Sequence, residues 1–242
     1  MPTILKNEIK DALEKLKSLD KRVVIIFISV AVLQTISWYF TSRRFFRYNL
    51  YYTVFEFWPD KDLIEFIYWF VGDFFTLFIL PVLIIKFYFK EQISSFGISI
   101  GDFKAGLKIS GVFIAIMLPV VLLISQLPEF SKSYPHLQAA KSDWQVFIVY
   151  ELFLLLYLIA WEFIWRGYML FGLEKQFGFY AVFIQMIPFV ILHNGKPFLE
   201  TFSAIFGGIA LGILALRTRS ILYPLIVHFI AIFSLDLLST IF

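Results

Sequence analysis

The sequence predicts an all-α fold, a polytopic membrane helical bundle of about seven transmembrane helices. Three observations predict it. Hydrophobic residues make up 60% of the 242 positions, and the mean hydropathy is +0.81, whereas soluble domains hold about 45–50% apolar residues. Aromatic residues reach 20%, with 31 Phe, a composition suited to lipid-facing and interfacial positions. Apolar runs long enough to cross the ~30 Å of bilayer hydrocarbon, about 20 residues each, recur along the chain.

Residues 1–22 open the chain as an amphipathic segment. Ile4, Leu5, Ile9, Ala12, Leu13 and Leu16 have helical spacing, and Lys6, Lys10, Lys15, Lys17, Lys21 and Arg22 make the segment basic. Its mixture of basic and acidic residues precedes any apolar run, and no small-residue cleavage site follows. It therefore reads as a lead-in helix on the membrane surface and not as a cleavable signal peptide. Residues 23–144 form an N-terminal group of spans, at roughly 23–41, 63–88 and 105–126. Residues 145–242 form a second group, with spans at roughly 146–172, 179–197, 200–216 and 220–241. The fifth and sixth spans are short, and Gly195 and Pro197 between them predict a tight hairpin. In the sixth, Ala204, Gly208 and Gly212 recur every four residues and allow a neighbouring helix close approach, either inside the bundle or at a homodimer seam.

The chain has no cysteine, which removes disulfides, thiolate catalysis and Cys-ligated zinc. Its net charge of +3 is spread among the connections, with no stripe suited to nucleic acid. Counting Lys and Arg in the connections puts fourteen on the side of the N-terminus against seven on the other. That predicts a cytoplasmic N-terminus and an outer C-terminus, with Arg43, Arg44 and Arg47 running against the trend.

Ionisable groups in hydrocarbon cost on the order of 3 kcal/mol each even on mild scales, so the ones in the spans are the candidate working parts. They gather in the second half as Glu151, Glu162, Arg166, His193, Glu200, His228 and Asp236. Glu162 and Arg166 are four apart, on one helix face within ion-pair reach. That pair is read equally as a neutralised structural pair or as the organiser of a site. His193 ends the fifth span, where a histidine commonly serves the helix end. His228 lies eight residues into the last span, unpaired in the sequence. Glu200 opens the sixth span, where a carboxylate suits a helix N-terminus. Measured from the turns, Glu162, His193 and His228 lie within roughly 9 Å of a common depth, and Glu200 slightly above His193. Asp236 is about 80° around the helix and ~12 Å along it from His228, a poor direct partner. A carboxylate and two imidazoles in a membrane cavity suit activation of water and polarisation of a carbonyl. Glu162, His193 and His228 are also residue types that bind zinc, although their spacing carries no metal signature.

The stretch Trp161-Glu162-Phe163-Ile164-Trp165-Arg166-Gly167, then Phe189-x-x-x-His193, then His228, resembles the CPBP family of intramembrane proteases. These are the CAAX prenyl protease and bacteriocin-processing proteins, also called Abi proteins. Their pattern is Glu-Glu-x-x-x-Arg, Phe-x-x-x-His and His-x-x-x-Asn, and the resemblance covers about 145–240. It implies a helical bundle with a conical cavity. It also implies an endopeptidase, described either as a metalloprotease or as a metal-independent glutamate protease. In the family the first Glu and the His of the second motif activate water, the last His and its Asn hold the oxyanion, and the second Glu and the Arg support them. Here His193 and His228 match, Glu162 matches the supporting Glu and Arg166 the supporting Arg. Trp161 stands where the first Glu belongs, and Ile232 where the Asn belongs.

The expectation is an intramembrane endopeptidase of the multi-pass, bacterial plasma-membrane kind. Glu162 or Glu200 with His193 activates water, His228 stabilises the oxyanion, and Arg166 and Asp236 support them. The expected partners are membrane lipid and a peptide or protein substrate, prenylated or not, and the one cofactor to test is a divalent zinc on His193, His228 and Glu162. The alternatives are an inactive relative that binds a membrane peptide in an immunity or scaffold role, and a small proton-coupled transporter. Against the transporter, the chain shows no repeated halves.

Overall fold

A computed structural model describes residues 3–241, with side chains from residue 8 onward. Met1, Pro2 and Phe242 therefore lie outside the described residues, as do the side chains of Ile4, Leu5 and Lys6 invoked for the amphipathic segment. Helix α1 spans Thr3–Ser18. Asp20 then caps α2, Lys21–Ile36, by accepting from the Arg22 and Val23 amides. A π-helical turn at Ser37–Thr41 and α3, Arg43–Asn49, extend α2 into one rod, Lys21–Asn49. The second rod, Lys61–Phe89, is built from α4 (Lys61–Phe74), a π turn (Phe75–Ile79), α5 (Leu80–Leu83) and another π turn (Ile84–Phe89). Asp102 caps α6, Phe103–Ser125, and the short α7, Pro128–Ser133, follows it. The fourth rod, Trp144–Phe177, joins α8 (Trp144–Glu162), a π stretch (Phe163–Met169) and α9 (Leu170–Phe177). Helices α10 (Tyr180–Ile191), α11 (Phe198–Thr218) and α12 (Leu222–Leu238) complete the bundle.

Five of these rods are long and apolar enough to cross a membrane, and α10 and α12 are shorter apolar helices. The chain is thus a polytopic helical membrane bundle. Three predicted boundaries shift. The first span runs on to Asn49 and the fourth to Phe177, because their polar ends stay helical past the apolar run. The fifth stops at Ile191, before residue 197, where His193, Asn194 and Gly195 turn the chain.

The α8 rod is the axis. In it 56% of the apolar window is buried inside the protein, against 11% in α6, which faces lipid. Phe163, Ile164, Trp165, Tyr168, Leu170 and Leu173 form the centre of the core. Around the axis α4 packs on α8, α6 on α12, and α10 on α11. The small-residue stripe of α11 serves this last contact. A Cβ on Gly208 would meet Met186, one on Gly212 would meet Gln185, and the Gln185 amide donates to the Gly208 carbonyl at 2.9 Å. Those two positions of the stripe therefore pack inside the bundle.

Candidate functional site

The site begins where α8 changes pitch. Glu162 is the last α-helical residue and Arg166 lies inside the π stretch that follows, both fully buried. Arg166 Nη1 is 3.3 Å from Glu162 Oε1, and the guanidinium lies over the Phe189 ring, 4.0 Å from its centroid. Nδ1 of His228, from α12, sits 2.6 Å from the same Glu162 oxygen. One carboxylate oxygen thus ties α8 to α12 and fixes the His228 ring.

His193 is held differently. Its Nδ1–H donates to the Phe189 carbonyl at 2.6 Å, because a carbonyl only accepts. Its backbone carbonyl accepts from the Thr201 hydroxyl at 2.8 Å, which pins the turn before α11. The Phe189 ring stands between the two imidazoles, 4.5 Å from His193 and 6.1 Å from His228. Among the described residues neither Nε2 has a hydrogen-bond partner, and neither is sealed from solvent. Both histidines line a cavity of about 110 Å³, together with Trp161, Ile232, Tyr134 and Lys196.

The remaining candidates lie around this centre. Glu162 is sealed behind His228 and does not line the cavity. Its Oε2, with Nε and Nη2 of Arg166, forms a group of buried polar atoms without partners. Glu200 sits at the rim with both oxygens engaged, Oε1 by Lys196 Nζ at 2.6 Å and Oε2 by the Tyr134 hydroxyl at 2.5 Å. Asp236 is fully buried beside Glu151 of α8, at a distance from the His228 pair. Trp161 lines the cavity itself, its ring 6.2 Å from that of His193.

A zinc set of Glu162, His193 and His228 does not fit this arrangement. Among the described residues no three His, Asp or Glu side chains gather around a point suited to a metal. The nearest carboxylate oxygen is already committed to His228 and lies against the Arg166 cation, which opposes a dication there.

Tyr134, His136 and Lys196 are cavity residues that the sequence reading missed. Lys196 precedes Glu200 by four, the spacing that marked Glu162 and Arg166, so that contact had a signal. Tyr134 and His136 reach the site from the connection after α7, and nothing in their local sequence marks that fold-back. His136 Nδ1–H donates to the Ser133 carbonyl at 2.9 Å. Burial and the nearby Lys196 ammonium push its imidazole down to about 4.

No curated protein and no solved structure matches the chain. Residues 143–233 match the family model described as type II CAAX prenyl endopeptidase Rce1-like. The matched stretch carries Glu162, Arg166, His193 and His228, in the order of the motifs that resemble the CPBP proteins, with Glu200 between the two histidines. Over residues 143–233, 91 of its 242 positions, the chain is similar to the Rce1-like type II CAAX prenyl endopeptidases.

Proposed function

We propose that the protein is an intramembrane endopeptidase in which His193 activates water and His228 holds the oxyanion. The observation that carries the reading is the pair of open Nε2 atoms on one cavity, each ring fixed from behind through Nδ1. His193, with Nδ1–H committed to Phe189, offers Nε2 as the proton acceptor. Water gives a proton to that nitrogen, and its oxygen attacks the scissile carbonyl carbon. The carbonyl oxygen takes up the electron pair and accepts a hydrogen bond from the Nε2–H of His228. Glu162 holds that ring through Nδ1, and Arg166 orients Glu162. His193 then returns the proton to the leaving amine as the C–N bond breaks.

This reading moves the base from Glu162 or Glu200 to His193. The burial of Glu162 behind His228, with its Oε1 held by that ring, and the commitment of both Glu200 oxygens support the change. Membrane lipid and a peptide or protein substrate, prenylated or not, are the proposed partners. A bacterial plasma membrane with a cytoplasmic N-terminus is the proposed setting. The test is hydrolysis of a quenched fluorescent lipid-anchored peptide by the protein in liposomes. His193→Ala loses about 10²–10⁴-fold and His228→Ala about 10²–10³-fold, with insertion unchanged. Full activity of His193→Ala overturns the mechanism.

A second reading, an inactive relative that holds a membrane peptide without cutting it, is favoured by Trp161, which fills the cavity wall beside His193. On that reading the natural chain captures a crosslinkable peptide intact, and Trp161→Glu with Ile232→Asn gains hydrolysis.

A further inference from the structure

The bundle has two distinct ends, and the cavity adjoins a cleft whose lining residues lie toward one of them. At the first end, Arg22 pairs with Glu91 and donates to the Gly172 carbonyl at 2.9 Å. There also Arg217 meets Asp102 at 3.0 Å, and Arg219 meets Glu174. These contacts gather the start of α2, the end of the second rod, the start of α6 and the ends of α9 and α11. At the second end, Arg43 and Arg47 grip Glu65, and Tyr134 and Lys196 grip Glu200.

A cleft of about 620 Å³ opens toward the second end, within the range of ligand clefts, about 300–1,000 Å³. One wall is the outer half of the α2 rod, with Thr35, Trp38 and Arg44, and the facing wall is Leu192 beyond α10. Trp161, Trp69, Tyr157, His136 and Leu192 line both this cleft and the small cavity with the histidines, so the two spaces adjoin across these side chains. Trp38 is 56% exposed and Tyr39 63%, which leaves the outer side of the cleft facing lipid.

The charge distribution assigns a side to these ends. Thirteen of the 21 Lys and Arg belong to the first end, counting residues 1–22, Lys86 to Lys108, Lys175, Arg217 and Arg219. Seven belong to the second: Arg43, Arg44, Arg47, Lys61, Lys132, Lys141 and Lys196. Arg166 is inside the bundle and counts for neither. The positively charged end of a membrane bundle faces the cytoplasm.

We infer that the cavity is reached from the non-cytoplasmic side, laterally, between the α2 rod and α10, and that it takes a membrane-held peptide segment displayed on that side. That the occupant is a substrate rests on the endopeptidase reading, whereas the side and route of access do not. This narrows the substrate class away from tails anchored at the cytoplasmic surface.

The chain has no cysteine, so single cysteines report position without background. Arg44→Cys in the cleft and Tyr52→Cys in the connection after α3 are expected to react with a membrane-impermeant maleimide in intact cells. Tyr180→Cys, at the turn between α9 and α10, is expected to react only after lysis. The reverse pattern, or labelling at both ends in intact cells, overturns the inference. In liposomes, a maleimide adduct on Arg44→Cys is expected to slow hydrolysis of the lipid-anchored peptide at least tenfold, and one on Tyr52→Cys to leave it unchanged. Unaltered hydrolysis with the cleft blocked overturns the route. If the unlabelled protein hydrolyses nothing, the endopeptidase reading fails while the labelling pattern still decides the side.

Discussion

Removing the charge of Glu162 separates structure from catalysis. In Glu162→Gln, Arg166 keeps a full charge in a position with no solvent exposure. Its one ion-pair contact, at 3.3 Å, becomes a contact with a neutral amide. Breaking a buried pair from one side costs about 3–5 kcal/mol. The Phe189 ring under the guanidinium still offers a desolvated cation–π contact of about 2 kcal/mol, which places the expected loss at the low end, about 3 kcal/mol. Replacing both partners, Glu162→Gln with Arg166→Met, removes the stranded charge, and a pair replaced by apolar groups of similar volume is often neutral. The double variant is therefore expected to recover most of the stability. The assay is thermal unfolding of the detergent-solubilised protein, read by intrinsic tryptophan fluorescence, for wild type, both single variants and the double variant. A Glu162→Gln protein within about 1 kcal/mol of wild type, the ceiling for exposed pairs, would refute the claim that this pair is desolvated and energetically coupled.

Acidification tests the connection that folds over the cavity. His136 is held at about 4 in the folded protein, below its ordinary 6.5. Its contribution is complete above pH 6.5 and is lost as pH falls from there through 4, on the order of 3 kcal/mol in all. His136→Gln is expected to flatten the thermal midpoint over that window, and an unchanged slope would contradict the assignment. Two glycines of α6 make a matched pair. A Cβ on Gly106 would fall 2.2 Å from the Tyr223 ring, so Gly106→Ala is expected to destabilise by about 1–3 kcal/mol. Gly111 has nothing within 4 Å, and Gly111→Ala is expected to stabilise by about 0.5–1 kcal/mol through helix propensity. Equal midpoints for the two would show that α6 does not seat against α12.

The spans were legible because hydrocarbon admits only long apolar helices, and that constraint is written residue by residue. The Glu162–Arg166 contact was legible for the same reason, since four residues on one helix fix a distance before any tertiary structure exists. The engagement of Glu162 by His228 was not, because it depends on how α8 and α12 rotate against each other, and helices buried on several sides carry no amphipathic signal of that rotation. Asp73 shows the same limit. It accepts from Ser37 and Thr41 of the neighbouring rod and from Trp69 of its own, and only the last partner lies at a helical spacing. For Glu200, the Lys196 contact lay at a helical spacing, but the Tyr134 contact did not show in the sequence, because Tyr134 is 66 positions away in an irregular connection.

The π stretch at Phe163–Met169 has a consequence for how the chain tolerates length changes. A π turn holds a surplus residue within an otherwise α-helical rod. Deleting one residue there lets the rod relax to the ordinary pitch, with α8 and α9 keeping their orientation. The same deletion in the middle of α8 turns everything beyond it by about 100° and swings Glu162 away from His228. Single-residue deletions should therefore be accepted at one point along the axial rod, immediately behind the histidines, and rejected along the apolar turns that precede it.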